Sequence, residues 1–143
     1  MGVGEFFFHY LSEAGKSTSP LFVNGEVRDT LPVSDRGLAY GDGLFETIAV
    51  RKGGAEFWRR HMARLREGCA RLRLGEPDFG ELNRETELLI NGQRTTQDVD
   101  QGIVKIIITR GSGGRGYRAL QEPTPTRITA FHPWPEIPDS HAL

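Results

Sequence analysis

The stretch from Ile103 to Thr109 reads Ile-Val-Lys-Ile-Ile-Ile-Thr and is apolar on both of its alternating sets apart from Lys105. A strand that alternates polar and apolar residues can leave one face in water, whereas this one must be covered on both sides or lie well inside a sheet. It therefore demands neighbouring strands, and the rest of the sequence supplies them. Phe22-Val23 and Glu26-Val27 flank Asn24-Gly25, a pair suited to the positive φ angles of a two-residue hairpin turn. Leu44 to Val50 sets Leu44, Glu46, Ile48 and Val50 against Phe45, Thr47 and Ala49, and Lys52-Gly53-Gly54 then turns the chain into a further strand, Ala55 to Trp58. Arg127 to Phe131 reads as the last strand. The Pro-rich run after it, with Pro133, Pro135 and Pro138, is expected to continue neither sheet nor helix.

Between Arg59 and Arg73 the period becomes helical, because Met62, Leu65, Cys69 and Leu72 recur at three- and four-residue steps and make one apolar stripe that Gly75 and Pro77 end. A second helix is expected from Asp78 to about Leu89, with Asp78 as its cap, Leu82 and Leu89 inward, and Asn91-Gly92 as its stop. Strands, then two helices, then strands, without βαβ alternation, predict an α+β fold. The expected form is a small two-layer domain, a largely antiparallel sheet with two helices on one face.

The 143 residues suffice for one such domain with a real core. Eighteen basic against 19 acidic residues leave a formal charge of −1, which excludes a net field that would gather nucleic acid or an anionic membrane. No apolar run approaches the ~20 residues of a membrane span, and the start lacks the pattern of a signal peptide. One cysteine, Cys69, and four scattered histidines make neither an internal disulfide nor a zinc cluster, and a reducing cytoplasm fits best. Residues 1–20, with the aromatic cluster Phe6 to Tyr10 and a polar tract up to Pro20, read as an extension or arm. Residues 21–132 form the domain, and residues 133–143 resemble the start of a linker.

Three constellations could hold chemistry, and each also has a plain structural reading. The run from Val33 to Thr47 is a polar, glycine-punctuated loop entering a strand, and a connection of that length is suspect inside a compact domain. Arg110 to Tyr117 places glycines and two guanidinium groups directly after the buried strand, where backbone N–H groups could meet an anion, or simply face solvent. Arg64, on the first helix, lies at the boundary of the apolar stripe, from which its stem can reach a cleft while Gly68 leaves room beside it. Lys16, Lys52 and Lys105 are the only lysines, and none has the surroundings of a covalent-catalysis lysine.

In order and spacing, Asn24-Gly25-Glu26, Val33 to Thr47, His61 to Leu65 and Val104 to Tyr117 together resemble the class IV pyridoxal phosphate enzymes, the branched-chain-aminotransferase-like fold type IV. The resemblance covers Leu21 to about Pro135, and the run from Thr109 to Tyr117 is most similar to the aminodeoxychorismate lyases within it. It implies that Arg64, the arginine of the H-x-x-R-L motif, holds the phosphate of pyridoxal 5'-phosphate. It implies too that Phe45 contacts the substrate side of the cofactor, and that Arg115 and Tyr117 meet a substrate carboxylate at a site shared across a homodimer. No metal is implied. The Schiff-base lysine of the family has no counterpart here and is expected beyond Leu143, in a C-terminal domain absent from this chain. On that reading the chain is an N-terminal fragment with no turnover and no bound cofactor of its own, and its uncovered apolar face favours self-association. A branched-chain or D-amino-acid aminotransferase of the same fold, and a non-enzymatic α+β binding module, are the alternatives.

Overall fold

The computed structural model describes residues 21–116 and 122–134. The expected arm, Tyr117 and all of the expected linker past Trp134 lie outside the described residues.

Leu21–Val23 (β1) and Glu26–Val27 (β2) form the first hairpin, with φ of 51° at Asn24 and 83° at Gly25, the double left-handed conformation that Asn-Gly adopts with little strain. Gly43–Arg51 (β3) and Gly54–Ala55 (β4) form the second, turning on Lys52 and Gly53. The strand expected to reach Trp58 is thus shorter. Phe57 takes a left-handed φ of 53° and Trp58 already opens a helix, so the chain leaves the sheet two residues after β4. Gly102–Thr109 (β5) and Thr126–Pro133 (β6) complete an all-antiparallel sheet in the order β2-β1-β6-β5-β3-β4. β6 runs through Pro133, which pairs with Gly102 as the strand's last residue. A proline is tolerated at a strand end, so the Pro-rich run begins one residue later than expected.

The expected central strand is β5, paired with β3 on one edge and β6 on the other. Val104, Ile106 and Ile108 point into the core with Ile48, Val50, Phe22 and Phe131. The alternate set, Ile103, Lys105 and Ile107, is only half-buried, so its apolar character reflects a central position with one covered face rather than cover on both.

Two helices make the second layer, Trp58–Leu72 (here α2) over β3 and Phe79–Gln97 (here α3) over β6. Met62, Leu65 and Cys69 of the expected stripe are buried, but Leu72, at the helix end, is exposed, and Leu74 fills the core in its place. Each fully buried leucine contributes roughly 1.5–3 kcal/mol. The Asp78 carboxylate caps α3 by accepting from the Glu81 N–H at 3.0 Å. Asn91-Gly92 does not stop it. Ile90, Gly92 and Gln93 are buried, and the Thr95 and Thr96 hydroxyls donate to the Asn91 and Gly92 carbonyls. Packing outweighs the roughly 1 kcal/mol that a glycine costs within a helix.

The suspect run from Val33 to Thr47 contains a third helix, Arg36–Tyr40 (α1), which ends on Gly41 at a φ of 64°. It lies against the face of the sheet opposite α2 and α3. Its cap, Asp35, is wholly buried and accepts from the Gly37 N–H at 2.8 Å, Thr109 Oγ1 at 3.0 Å and Thr126 Oγ1 at 2.7 Å.

Candidate functional site

In β3 the inward set is Leu44, Glu46, Ile48 and Val50, so the register drives one carboxylate into the helix layer. Glu46 is 3 % exposed. Its Oε1 accepts from Arg64 Nε at 2.7 Å, and its Oε2 accepts from Arg64 Nη2 at 2.6 Å and lies 2.6 Å from His61 Nδ1. Burial pushes the Glu46 carboxyl up, but the hydrogen bonds and charge of Arg64, with those of His61, outweigh it and hold the group below its ordinary value. The same contact raises the Arg64 guanidinium further above its own. Arg64 remains 70 % exposed, with one edge of its fork fixed by Glu46 and the outer edge turned to solvent. That outer edge is free to take an anion, and the arginine stem starts one helical turn from His61. Gly68 does not make room for Arg64 as expected. A Cβ there would overlap Leu44 Cδ1, so the missing side chain admits Leu44 to the layer instead.

Phe45 precedes Glu46 and leaves β3 on the opposite face, 61 % exposed, with Lys105 Nζ 4.7 Å from its ring centroid. β3 bonds to β5 through the residue set that includes Asp42, whose carbonyl accepts from the Arg110 N–H. The backbone groups of Phe45 and Thr47 therefore point to the other edge, which β4 covers only at Val50 and Arg51. Phe45, Glu46 and Arg64 thus flank a stretch of sheet edge that no strand covers among the described residues. Beside Phe45 and beneath α1 is a cavity of about 380 Å³, lined chiefly by Leu31, Leu38, Phe45, Ile107 and Ile128. Neither Arg64 nor Arg115 lines it.

The two guanidinium groups of the glycine-rich run have separate fates. Arg110 is buried and donates Nε to Asp42 Oδ2 at 2.8 Å, Nη2 to the Leu72 carbonyl at 2.7 Å and Nη1 to the Arg73 carbonyl at 3.3 Å. It satisfies the end of α2 and is not available to a ligand, which corrects its reading as an anion contact. Arg115 is exposed in the loop after β5 and makes no hydrogen bond to other described residues. Asp42 also accepts from Arg36 Nε at 2.9 Å. Burial raises the Asp42 carboxyl, and the hydrogen bonds of Arg110 and then Arg36 more than reverse it.

Sequence reasoning missed Glu46, Arg36 and Asp42. For Glu46 the signal was present, a charged residue in the inward phase of an otherwise apolar set. For the other two no local pattern marks burial.

The amino-transferase class IV family model matches residues 43–143. The chain belongs to that family. Among relatives of this class IV domain, the aminodeoxychorismate lyase of Vibrio harveyi is 40% identical over 96 residues, which are 67% of this chain and 33% of that protein. The crystal structure of 4-amino-4-deoxychorismate lyase from Pseudomonas aeruginosa matches with a TM-score of 0.67 and 45% identity, covering 85% of this chain and 42% of that one. A hypothetical aminotransferase from Mycobacterium tuberculosis in its PLP-bound form matches with a TM-score of 0.66 and 28% identity, covering 81% of this chain and 40% of that one. The class IV domain thus spans between a third and about two-fifths of the length of these relatives, and its family is one of PLP-dependent lyases and aminotransferases. The expected α+β fold is the one these structures share.

Proposed function

We propose that the protein carrying this chain is an aminodeoxychorismate lyase that uses pyridoxal 5'-phosphate to eliminate pyruvate from 4-amino-4-deoxychorismate, leaving 4-aminobenzoate for folate synthesis. The lyase reading is favoured over a branched-chain or D-amino-acid aminotransferase by the names of the relatives at 40% and 45% identity, against 28% for the aminotransferase.

The observation that supports the cofactor is Arg64, a guanidinium fixed on one edge by a buried carboxylate and open on the other. A phosphate suits that open edge, because a planar fork takes two oxygens at once. The cofactor, when bound, supplies an electron sink for the charge left as the amine-bearing carbon gives up its proton. With the ether C–O bond broken, the group would leave as enolpyruvate, which takes up one proton at its terminal carbon to become pyruvate. That proton matches the one lost from the ring as the ring becomes aromatic, so the two products hold every atom of the substrate. Phe45 covers the reacting face with apolar surface and keeps water from it. Arg115, with Tyr117, takes a substrate carboxylate, on this reading at a site shared between two subunits of a cytoplasmic homodimer. No lysine among the described residues is assigned the covalent role, and on this reading this chain alone neither retains the cofactor nor turns over.

Incubating the full-length protein with 4-amino-4-deoxychorismate and following 4-aminobenzoate and pyruvate tests the reading. Equimolar release of both is expected. Exchange of amino groups between amino and keto acids without either product would assign the aminotransferase instead. Arg64→Ala is expected to weaken cofactor retention, read from the cofactor's absorbance after gel filtration, and retention equal to wild type would remove Arg64 from the phosphate site.

A further inference from the structure

The loop from Gly111 to Gly116 contains four glycines at positive φ, Gly111, Gly113, Gly114 and Gly116, and left alone such a segment would sample many conformations. One residue holds both of its ends. The Arg36 backbone N–H donates to the Gly111 carbonyl at 2.8 Å, and Arg36 Nη2 donates to the Gly116 carbonyl at 3.0 Å. The other side of Gly116 is held as well, since its N–H donates to Tyr40 Oη at 2.8 Å. The Tyr40 ring lies 4.6 Å from the Arg36 guanidinium, so the two gripping groups brace each other.

Arg36 is 1 % exposed, shares the carboxylate of Asp42 with Arg110, and leaves its Nη1 without a hydrogen-bond partner. Burying a guanidinium with an unmet donor is costly, and apolar packing would join helix to loop at less expense. What an arginine provides and a leucine cannot is direction, because it fixes the plane of one particular peptide. Its carbonyl is that of Gly116, the residue after Arg115, and the peptide that joins Arg115 to Gly116 is held by Tyr40 through the Gly116 N–H.

We propose that Arg36, seconded by Tyr40, is a positioning residue that sets the orientation of Arg115 for a substrate carboxylate. This rests on the reading of Arg115 as the carboxylate contact. Arg36 touches neither substrate nor cofactor. It acts through Gly116, and the effect of disturbing it falls on substrate capture.

Steady-state kinetics of the full-length enzyme with 4-amino-4-deoxychorismate test the proposal. Tyr40→Phe keeps the ring over Arg36 and removes the acceptor for the Gly116 N–H, and an increase in KM of about fivefold is expected, with kcat changed by less than about twofold. Arg36→Lys keeps a cation near Asp42 but cannot hold both partners, and its KM is expected to rise further. Should that buried variant fail to fold, Tyr40→Phe, at a half-buried site, still decides. The coupling is read from Arg115→Ala and the double variant Arg115→Ala/Tyr40→Phe. Once Arg115 is gone nothing is left to orient, so the second change is expected to add little to KM. Additive effects would reduce Tyr40 and Arg36 to general structural roles and overturn the proposal, as would a wild-type KM in Tyr40→Phe when Arg115→Ala raises it. A wild-type KM in Arg115→Ala would instead remove the carboxylate reading, and the proposal with it.

Discussion

Replacing Asp35 tests whether α1 is docked by one carboxylate. Its Oδ2 accepts from Thr109 and Thr126, its Oδ1 accepts from the Gly37 N–H, and no part of it reaches solvent. Asp35→Ala removes a helix cap, at a cost of about 1 kcal/mol, and leaves two buried hydroxyls without their acceptor at about 1–3 kcal/mol each. Against this stands the return of the carboxylate's own desolvation cost, so a net loss of about 3–4 kcal/mol is expected. For a chain of this length that lowers the unfolding midpoint by about 10 °C. Asp35→Asn is the sharper variant. With the amide oxygen toward the threonines, the amide nitrogen faces the Gly37 N–H. With the oxygen toward Gly37, both hydroxyls must turn and accept from the amide, Thr109 Oγ1 beside the Gly111 N–H it already accepts at 3.0 Å, and both hydroxyl protons lose the acceptor they had in Asp35. Neither orientation satisfies all three partners, so Asn is expected to lose at least about 1 kcal/mol despite its near-identical shape. Urea unfolding followed by circular dichroism measures both. Stability within about 0.5 kcal/mol of wild type in Asp35→Ala would refute the docking argument.

Two further outcomes follow from burial and charge. The Glu46 carboxyl is held below its ordinary 4.5 in the folded chain, so its contribution is present above that value and is lost as pH falls through the lowered one. Unfolding measured across the acid range is expected to show a shallower acid loss in Glu46→Gln than in wild type, and identical acid limbs would contradict it. Burial pushes the Cys69 thiol up to about 11, so at about pH 8 it is protonated and enclosed. Iodoacetamide is expected to modify it only as fast as the chain unfolds, and labelling of the native protein at the rate of a free thiol would count against the packing of α2.

What the sequence made legible was local. Asn24-Gly25 specifies its own turn, and Met62, Leu65 and Cys69 specify one helical face through spacing alone. The five-residue α1 was not legible, because so short a helix cannot show an apolar period and its docking bonds reach partners 74 and 91 positions away. Arg110 resembled an anion contact for the same reason, since its carbonyl partners, Arg73 and Leu72, lie 37 and 38 positions earlier. The continuation of α3 past Gly92 depends on burial, which no capping rule contains. Glu46 stood between these cases. Its inward phase could be read from the alternation of β3, but its partners could not.

The spacing within Gly41-Asp42-Gly43-Leu44-Phe45-Glu46 has a physical reason in this arrangement. Asp42, just before β3, holds Arg36 and Arg110, and Arg36 in turn holds Gly116 beside Arg115. Glu46, four residues on, holds Arg64, and Phe45 between them faces the other side of the sheet. Both candidate anion-binding guanidiniums are therefore oriented from one short segment, Arg64 directly and Arg115 through a relay. Because side chains alternate along a strand, the separation of Asp42 from Glu46 is fixed in number as well as in length. One inserted residue would turn Phe45 into the helix layer and Glu46 out of it, parting Arg64 from its carboxylate while Asp42 kept its two arginines. A deletion would do the same from the other direction. The motif is thus a register device, in which left-handed Gly41 lets α1 turn sharply into β3, Gly43 admits the β5 backbone at Ile108, and the carboxylates stand at the two positions from which the arginines can be reached.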